Sequence, residues 1–192
     1  MSLDQLIREL TDAGVIKSAN LVAAFKKIDR ADFVPERIRS NAYFNAPLPI
    51  GFGQTISQPL TVAFMLELLA PAYGHKILDI GSGSGWQTAL LSYIVSTPTK
   101  TNHQSTSQPG TVFGLEIVPK LHQQSIENIS QYNYIEKGIA KMICQNAQAG
   151  LPEEAPFDRI IAAASVSNIP PAWIEQLKPN GRLVVPVKNS IV

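Results

Sequence analysis

Three glycines recur at every second position of the run Asp79-Ile-Gly-Ser-Gly-Ser-Gly85, which follows an apolar pentapeptide and precedes a largely apolar stretch. Glycine lets the backbone turn sharply and approach a ligand where a Cβ would collide. A helix that begins directly after the run would add free N–H groups and the positive end of its dipole. The pattern predicts a loop that holds a nucleotide-like ligand between a strand and a helix. A tight strand-to-helix turn without a ligand is the alternative.

The spacing of these glycines excludes two common nucleotide-binding loops. The dinucleotide fingerprint G-x-G-x-x-G would need glycine at position 86, which is Trp86, and a P-loop would need a Gly-Lys-Ser/Thr string that the run lacks. The remaining pattern, an acidic residue followed by G-x-G-x-G, resembles the first motif of class I S-adenosylmethionine-dependent methyltransferases. The resemblance implies that S-adenosyl-L-methionine binds here and leaves as S-adenosyl-L-homocysteine, in contact with Asp79, Gly81, Ser82, Gly83 and Gly85.

A further candidate cofactor residue closes the apolar segment TVFGLE at residues 111–116. In doubly wound sheets, ligands bind at the carboxyl ends of the strands, where a carboxylate can accept hydrogen bonds from ribose hydroxyls. Glu116 lies 31 residues after Gly85, whereas the usual offset is about 20 residues. The polar, low-complexity segment at residues 96–110 accounts for most of the surplus. We therefore expect Glu116 and the following Ile117 to contact the cofactor.

The segment AYFNAPLPIGFGQTISQP at residues 42–59 indicates the methyl acceptor. It closely resembles the N-terminal motif of the protein-L-isoaspartate O-methyltransferases, which repair isomerised aspartyl and deamidated asparaginyl sites. The resemblance continues through LDIGSGSGWQTALL, EEAPFDRIIAAAS and LKPNGRLVVPV, and covers about residues 18–187. It implies that the partners of this chain are proteins and peptides that contain isoaspartyl residues.

The resemblance also implies roles for individual residues of the acceptor segment, residues 51–59. Ser57 matches the active-site serine of the family, and Thr55 is the second candidate catalytic residue. Gln54, Thr55, Ile56 and Ser57 match the stretch that lines the cofactor and the acceptor. An ordinary Ser/Thr turn and cap before Pro59 is the alternative interpretation of the two hydroxyl residues.

This small set of residues suits the chemistry, because the acceptor is a free α-carboxylate with a reference pKa of about 3.3–3.7. It is ionised at neutral pH, so no general base is required. The methyl group is carried by a sulfonium, which is a good leaving group. The enzyme must hold the carboxylate oxygen, the methyl carbon and the sulfur in line at about 3–3.5 Å, and this proximity can supply much of the rate acceleration.

Two features depart from the family pattern. Family members usually carry an acidic residue after the third strand, where it receives the adenine amino group, but here the position holds Asn146, followed by Ala147. A neutral amide oxygen can still accept that hydrogen bond, without charge assistance. The second departure is at the C-terminus: the sequence ends at Val192, whereas family members continue into two further strands. We therefore expect those C-terminal strands to be missing.

The elements that must position these residues alternate from Lys76 onward. Strands are predicted at residues 76–80, 111–116, 139–144, 157–164 and 182–187, separated by helices. Nearly continuous apolar strands separated by helices indicate a parallel sheet covered on both faces. The expected fold class is α/β, with a doubly wound, mostly parallel sheet of the Rossmann-like, class I methyltransferase type.

The residues before this alternation are predicted to be mainly helical. Helices are expected at about residues 3–13, 18–29 and 59–70, with a capping box formed by Ser2 and Gln5. Residues 41–59 are rich in proline and glycine, which predicts an ordered, irregular segment. We divide the chain into an N-terminal helical region at residues 1–58 and a cofactor-binding domain at residues 59–192.

Composition narrows the remaining possibilities. The 192 residues are 45% apolar and 16% charged, which excludes disorder over the whole chain. A formal net charge of +1 removes the simplest argument for nucleic-acid binding. The three histidines share no ligand spacing with one another or with Cys144, so no metal site is expected. No stretch has the pattern of a membrane span or a signal peptide. We expect a cytoplasmic monomer that binds neither nucleic acid nor membrane.

Two other functions stay open at this point. One is a class I methyltransferase that acts on another small-molecule or nucleic-acid acceptor, in which case residues 51–59 would serve only as scaffold. The other is a degenerate binding protein without catalysis, which the neutral Asn146 and the C-terminus at Val192 would favour.

Overall fold

A computed structural model describes residues 1–98, 108–188 and 190–192. The polar loop predicted at residues 96–110 lies largely outside these residues. The helices are α1 Leu3–Asp12, α2 Ala19–Lys27, α3 Pro59–Leu69, α4 Trp86–Ser96, α5 Pro119–Ser130 and α6 Pro171–Glu175. The strands are β1 Leu48–Gly51, β2 Gln54–Ile56, β3 Lys76–Ile80, β4 Thr111–Glu116, β5 Ala140–Cys144, β6 Phe157–Ala162, β7 Leu177–Val184, β8 Pro186–Val187 and β9 Ser190–Ile191.

Five of these strands form one parallel sheet in the order β5-β4-β3-β6-β7. The first of these five strands in the sequence is β3, which lies at the centre of the sheet. The chain then adds β4 and β5 on one side of β3 and crosses over to add β6 and β7 on the other side. The order therefore reverses beside β3, and in such sheets the crevice at the carboxyl ends near this point is where ligands bind. The predicted doubly wound α/β fold is confirmed.

Both faces of the sheet are buried, which explains the continuous apolar character of the central strands. On β3, Ile77 belongs to a large core that contains residues of α1 to α5, whereas Leu78 belongs to a smaller core on the opposite face with Trp173. Ile77 and Leu78 both have zero exposure. Successive side chains of a strand point to opposite faces, so each face of β3 receives its own apolar layer.

The N-terminal helices pack into the same core as the cofactor-binding part of the chain. The predicted capping box of α1 is present, since the Ser2 hydroxyl accepts from the Gln5 N–H and the Gln5 side chain accepts from the Ser2 N–H. Leu6 and Phe25 are buried in the large core together with Trp86 of α4. The regions before and after residue 58 therefore share one core. The division of the chain at residues 58/59 stays a prediction.

Residues 48–56 form a β-hairpin, a structure more regular than the irregular segment predicted there. Strands β1 and β2 pair antiparallel, with Leu48 opposite Ile56. The turn consists of Gly51, Phe52 and Gly53, which have φ values of +96°, +54° and +72°. Glycine adopts this region at little cost, so the two glycines allow the chain to reverse here. The hairpin places Gln54, Thr55 and Ile56 on its second strand.

The C-terminal part departs from the predicted boundaries. Strand β7 starts at Leu177, five residues earlier than predicted, and its pairing with β6 is interrupted by an irregularity near Arg159. Strands β8 and β9 form a separate two-stranded hairpin after β7. Within the described ranges the parallel sheet contains no strand beyond β7. No helix in the same ranges is long and apolar enough to cross a membrane.

Candidate active site

The glycine run forms a loop that is fixed to the end of β4. The N–H groups of Gly81 and Ser82 both donate to the carbonyl of Leu115, at 2.9 and 3.0 Å, and the Gly85 N–H donates to the Ser82 carbonyl at 2.8 Å. The Asn128 amide on α5 donates to the carbonyl of Ser84 at 2.9 Å. These bonds hold the loop between β3 and α4, as the sequence predicts.

The last glycine of the run serves packing between helices. A Cβ at Gly85 would lie 2.9 Å from Cδ1 of Ile129 and 3.2 Å from Cβ of Ser125, both on α5. Gly85 also has a φ of +92° and is the N-cap of α4. Only glycine therefore lets α4 begin this close to α5.

Glu116 ends β4 next to this loop and is almost fully buried, with 6% exposure. One of its carboxylate oxygens accepts from the Gly83 N–H at 2.9 Å, and the other accepts from the Val118 N–H at 2.8 Å. A carboxylate offers about four acceptor positions. Two acceptor positions are therefore left for the hydroxyls of a ligand. The hydrogen bonds from Gly83 and Val118 fix the orientation of the carboxylate.

A cavity of about 330 Å³ opens between the hairpin, the glycine loop and the ends of β4 and β6. The sequence predicts the residues that the first two segments contribute, but it does not predict the contribution of Val118 or of the residues after β6. The rule that ligands bind at carboxyl ends of strands could have identified them. The lining residues are Gln54, Thr55, Ser57, Gly81, Gly83, Glu116, Ile117, Val118, Ala163 and Ala164.

Thr55 and Ser57 line this cavity from the hairpin side. Thr55 is exposed and Ser57 is half-buried, and neither hydroxyl hydrogen-bonds another protein atom of the described residues. The main-chain carbonyl of Ser57 is held by the Arg30 guanidinium at 3.0 Å. The two side chains are therefore available for a ligand, while the backbone that carries Ser57 is fixed.

A smaller cavity of about 40 Å³ adjoins the loop, and two of the residues that line it have polar atoms without a hydrogen-bond partner among the described residues. It is lined by Thr55, Ile56 and Ser57 together with residues of the loop and of α4. Two residues of this lining, Ser82 and Trp86, have buried polar atoms, Oγ and Nε1, without a hydrogen-bond partner among the described residues. Because an unpaired buried donor costs about 1–3 kcal/mol, a polar ligand at this site would relieve that cost.

Comparison with known proteins decides the family. The family model of the protein-L-isoaspartate(D-aspartate) O-methyltransferases matches residues 1–191. The chain belongs to this family. A protein-L-isoaspartate O-methyltransferase of Methanopyrus kandleri is 38% identical over 184 residues, which are 96% of this chain and 76% of that protein. One from Myxococcus xanthus is 40% identical over 172 residues, which are 90% and 73% of the two chains.

A solved structure supports the same family. It is a Plasmodium falciparum protein assigned as a protein-L-isoaspartate O-methyltransferase, in complex with S-adenosyl-L-homocysteine. It superposes with a TM-score of 0.84 at 27% identity and covers 99% of this chain and 86% of its own. The family uses S-adenosyl-L-methionine, so the predicted methyl donor is confirmed together with the resemblance. The unpaired Ser82 hydroxyl and the two remaining acceptor positions on Glu116 fit such a polar donor.

Asp79 of this methyltransferase lies beneath the glycine loop and outside the cavity lining. Its two oxygens accept from Nε2 of Gln87 at 2.7 Å and from the Thr88 hydroxyl at 2.6 Å. Complete burial raises the pKa of Asp79 and the negative Glu116 adds to the increase, against the lowering effect of these hydrogen bonds, so that the net value is about 6. In the structure Asp79 ties β3 to the first turn of α4, and its direct contact with the cofactor stays a prediction.

Asn146 and Ala147 also lie outside the residues that line the two cavities. The Asn146 side chain accepts from the Gln148 N–H at 2.9 Å and caps the short 3-10 turn Ala147–Ala149. The carbonyl of Ala147 accepts from Nε1 of Trp173 at 2.7 Å. Asn146 is exposed at the carboxyl end of β5, so its predicted contact with adenine stays a prediction.

Proposed function

We propose that this chain transfers a methyl group from S-adenosyl-L-methionine to the free carboxylate of L-isoaspartyl residues in damaged proteins and peptides. One observation carries the proposal: Thr55 and Ser57, in the segment that resembles the family's acceptor motif, line the same cavity as Gly83 and Glu116. Acceptor and donor sites therefore share one cavity at the carboxyl ends of the strands, and the family of the chain supplies the reaction class.

We assign the methyl donor to the side of the cavity formed by the glycine loop and Glu116, and the acceptor to the side formed by the hairpin. When bound, S-adenosyl-L-methionine supplies a methyl group on a positively charged sulfur. Glu116 binds hydroxyls with its two remaining acceptor positions, the exposed Ile117 packs against the ligand, and the Ser82 hydroxyl adds a polar contact. On the hairpin side, the Thr55 and Ser57 hydroxyls donate to the acceptor carboxylate and orient one of its oxygens toward the methyl group.

No residue of the cavity needs to remove a proton in this scheme. The acceptor carboxylate is ionised at neutral pH, because its reference pKa is about 3.3–3.7. The cavity lining contains hydroxyl, amide and apolar side chains, and its single carboxylate, Glu116, is already held by two N–H groups. Orientation of the acceptor therefore supplies the acceleration.

The test is an acceptor comparison with purified chain and S-adenosyl-L-methionine. Two synthetic peptides of one sequence are used, one with an isoaspartyl residue and one with a normal aspartyl residue. We expect S-adenosyl-L-homocysteine to accumulate with the isoaspartyl peptide and to stay at background with the aspartyl peptide. Equal rates with both peptides, or turnover only with a nucleic acid or another small molecule, would favour a different acceptor. Absence of binding of the methyl donor in calorimetry would favour a degenerate binding protein.

The chain is further proposed to act as a monomer in the cytoplasm, without nucleic-acid or membrane partners. The near-neutral net charge of +1 supports the exclusion of nucleic acid. Residues of one chain supply both the donor side and the acceptor side of the cavity, which supports a monomer. Light scattering at the concentration of the assay should give the mass of one chain, and a dimer mass would refute the monomer.

A further inference from the structure

The side chain of Arg30 is completely buried and bonds to four main-chain carbonyls. One terminal nitrogen donates to the carbonyl of Ala42 at 2.6 Å and to that of Phe44 at 3.3 Å. The other donates to the carbonyls of Ala46 and Ser57, each at 3.0 Å. The exposure of Arg30 is 0%. A single guanidinium therefore holds two segments that the hairpin separates in sequence, residues 42–46 and Ser57.

The positive charge of Arg30 has no carboxylate partner in the part of the chain that the structure describes. Arg30 forms no ion pair with any of the described residues, and its cation instead lies 5.3 Å from the ring centre of Trp86. Burial lowers the pKa of Arg30 to about 10, so the group stays protonated at neutral pH. The charge is stabilised by carbonyl dipoles and by the aromatic ring, and every carbonyl that it loses would leave it less well solvated.

The two segments that Arg30 joins are the two ends of the hairpin. Residues 42–46 precede β1, and Ser57 follows β2 directly. Trp86, which the cation contacts, is the first residue of α4 and directly follows the glycine loop. Arg30 thus links the base of the hairpin to the helix behind the cofactor loop. Ser57 and Trp86 line the same small cavity.

We propose that Arg30 is a positioning residue for methyl transfer, which acts through the Ser57 carbonyl to fix the backbone that presents the Ser57 hydroxyl to the acceptor. This inference rests on the proposed function. Arg30 does not line either cavity, so it has no contact with substrate. The planar guanidinium has two terminal nitrogens that reach two pairs of carbonyls at once, whereas a lysine offers one point charge with three donors.

The test compares Arg30→Lys with Arg159→Lys, a matched control. Arg159 is half-buried and also donates to main-chain carbonyls, those of Leu69 and Asp158, but it lies outside the cavities. For each variant we would measure kcat/KM for the isoaspartyl peptide, the Kd of S-adenosyl-L-homocysteine and the thermal unfolding midpoint. We expect Arg30→Lys to lower kcat/KM by about ten- to a hundredfold, since small misplacements of a reacting group can cost about that much. The Kd should change by less than about twofold, and Arg159→Lys should keep wild-type kinetics.

A double-mutant cycle with Ser57→Ala separates positioning from loss of stability. If Arg30 acts through Ser57, Arg30→Lys should reduce kcat/KM far less in the Ser57→Ala background than in the wild type. Equal losses in both backgrounds, or a lower unfolding midpoint with unchanged kcat/KM per folded molecule, would overturn the inference. Arg30→Gln, assayed at a temperature at which circular dichroism shows it folded, replaces Arg30→Lys if that variant is too unstable. A wild-type chain without isoaspartyl activity would refute the proposed function instead.

Discussion

The N–H of Gly83 donates to the carboxylate of Glu116 at 2.9 Å, although the two residues are 33 positions apart in the sequence. The bond joins the middle of the glycine loop to the end of β4. It fixes the loop and the carboxylate that would receive the ribose in one arrangement before a ligand arrives. Pre-organisation of this kind lowers the cost of binding, because fewer groups must be ordered by the ligand.

Glu116→Ala should weaken the binding of S-adenosyl-L-methionine. The variant removes an acceptor for ligand hydroxyls and also the acceptor that holds Gly83 and Val118. Hydrogen bonds to a charged group contribute about 1.5–3 kcal/mol, so the Kd in calorimetry should rise by at least about tenfold. Glu136→Ala, which changes an exposed glutamate away from the cavities, is the control. An unchanged Kd for Glu116→Ala would remove this residue from the donor site.

Ser57→Ala should slow methyl transfer and leave donor binding almost intact. The Ser57 hydroxyl has no protein partner among the described residues, whereas its carbonyl is fixed by Arg30. Loss of one orienting hydroxyl should reduce the rate about ten- to a hundredfold, at about 1.4 kcal/mol per tenfold. Ser130→Ala, which removes a hydroxyl bonded within α5, should keep the wild-type rate. Unchanged kinetics with a lower stability of Ser57→Ala would support the turn-and-cap interpretation.

Asn146→Asp should strengthen donor binding if residue 146 reaches the adenine amino group. A carboxylate can keep the cap on the Gln148 N–H with one oxygen and offer the other to the base. Charge assistance roughly doubles the strength of such a bond, and desolvation reduces the net gain to about 0.5–1.5 kcal/mol. S-adenosyl-L-methionine and adenosine should both bind several-fold more tightly, with Asn133→Asp as a control for added charge. A gain for the full donor without a gain for adenosine would place residue 146 outside the adenine site.

Asp79 should make stability decrease as the pH rises through about 6. Its pKa is raised to about 6 by burial, from an ordinary value of 3.8. The protonated form is therefore favoured in the folded state, so its stabilising contribution is complete below pH 3.8 and is lost as pH rises through the folded-state value. The free energy of unfolding of the wild type, relative to Asp79→Asn, should fall by about 2–3 kcal/mol between pH 4 and pH 7.

Urea unfolding at several pH values measures this difference. Asp79→Asn can keep the hydrogen bond from Gln87, while the Thr88 hydroxyl can turn to donate elsewhere or to accept. Asp12→Asn, which changes an exposed aspartate on α1, should show the pH dependence of the wild type. A constant difference between the wild type and Asp79→Asn over this range would show that Asp79 is ionised throughout.

The parts of the fold that the sequence predicts are those with strong local signals. Strands β3 and β4 have the predicted bounds, because both are continuous apolar runs buried on both faces. The glycine run and Glu116 follow these strands directly, so their place at the carboxyl edge of the sheet could be predicted from the strand positions alone. The capping box of Ser2 and Gln5 is a similarly local signal.

Other features depend on distant contacts, and the sequence does not reveal them. The hairpin at residues 48–56 contains one proline and two glycines in place of apolar alternation, and it is held from outside by Arg30. The role of Arg30 has no local signal in the sequence, because the four carbonyls that surround it belong to residues 12 to 27 positions further along the chain. Strand β7 includes the turn-like residues KPNG, whose strand geometry depends on its pairing with β6.

Methyl transfer to the free carboxylate of an isoaspartyl residue is measured most directly by locating the methyl group on the product. The isoaspartyl peptide and its aspartyl isomer are incubated with the chain and S-adenosyl-L-methionine, and the products are sequenced by tandem mass spectrometry. We predict one methyl ester, on the α-carboxylate of the isoaspartyl residue, that forms at least about a hundredfold faster than any ester in the isomer, a preference of about 2.7 kcal/mol. A methyl group at any other position, or equal labelling of both isomers, would contradict the proposed function.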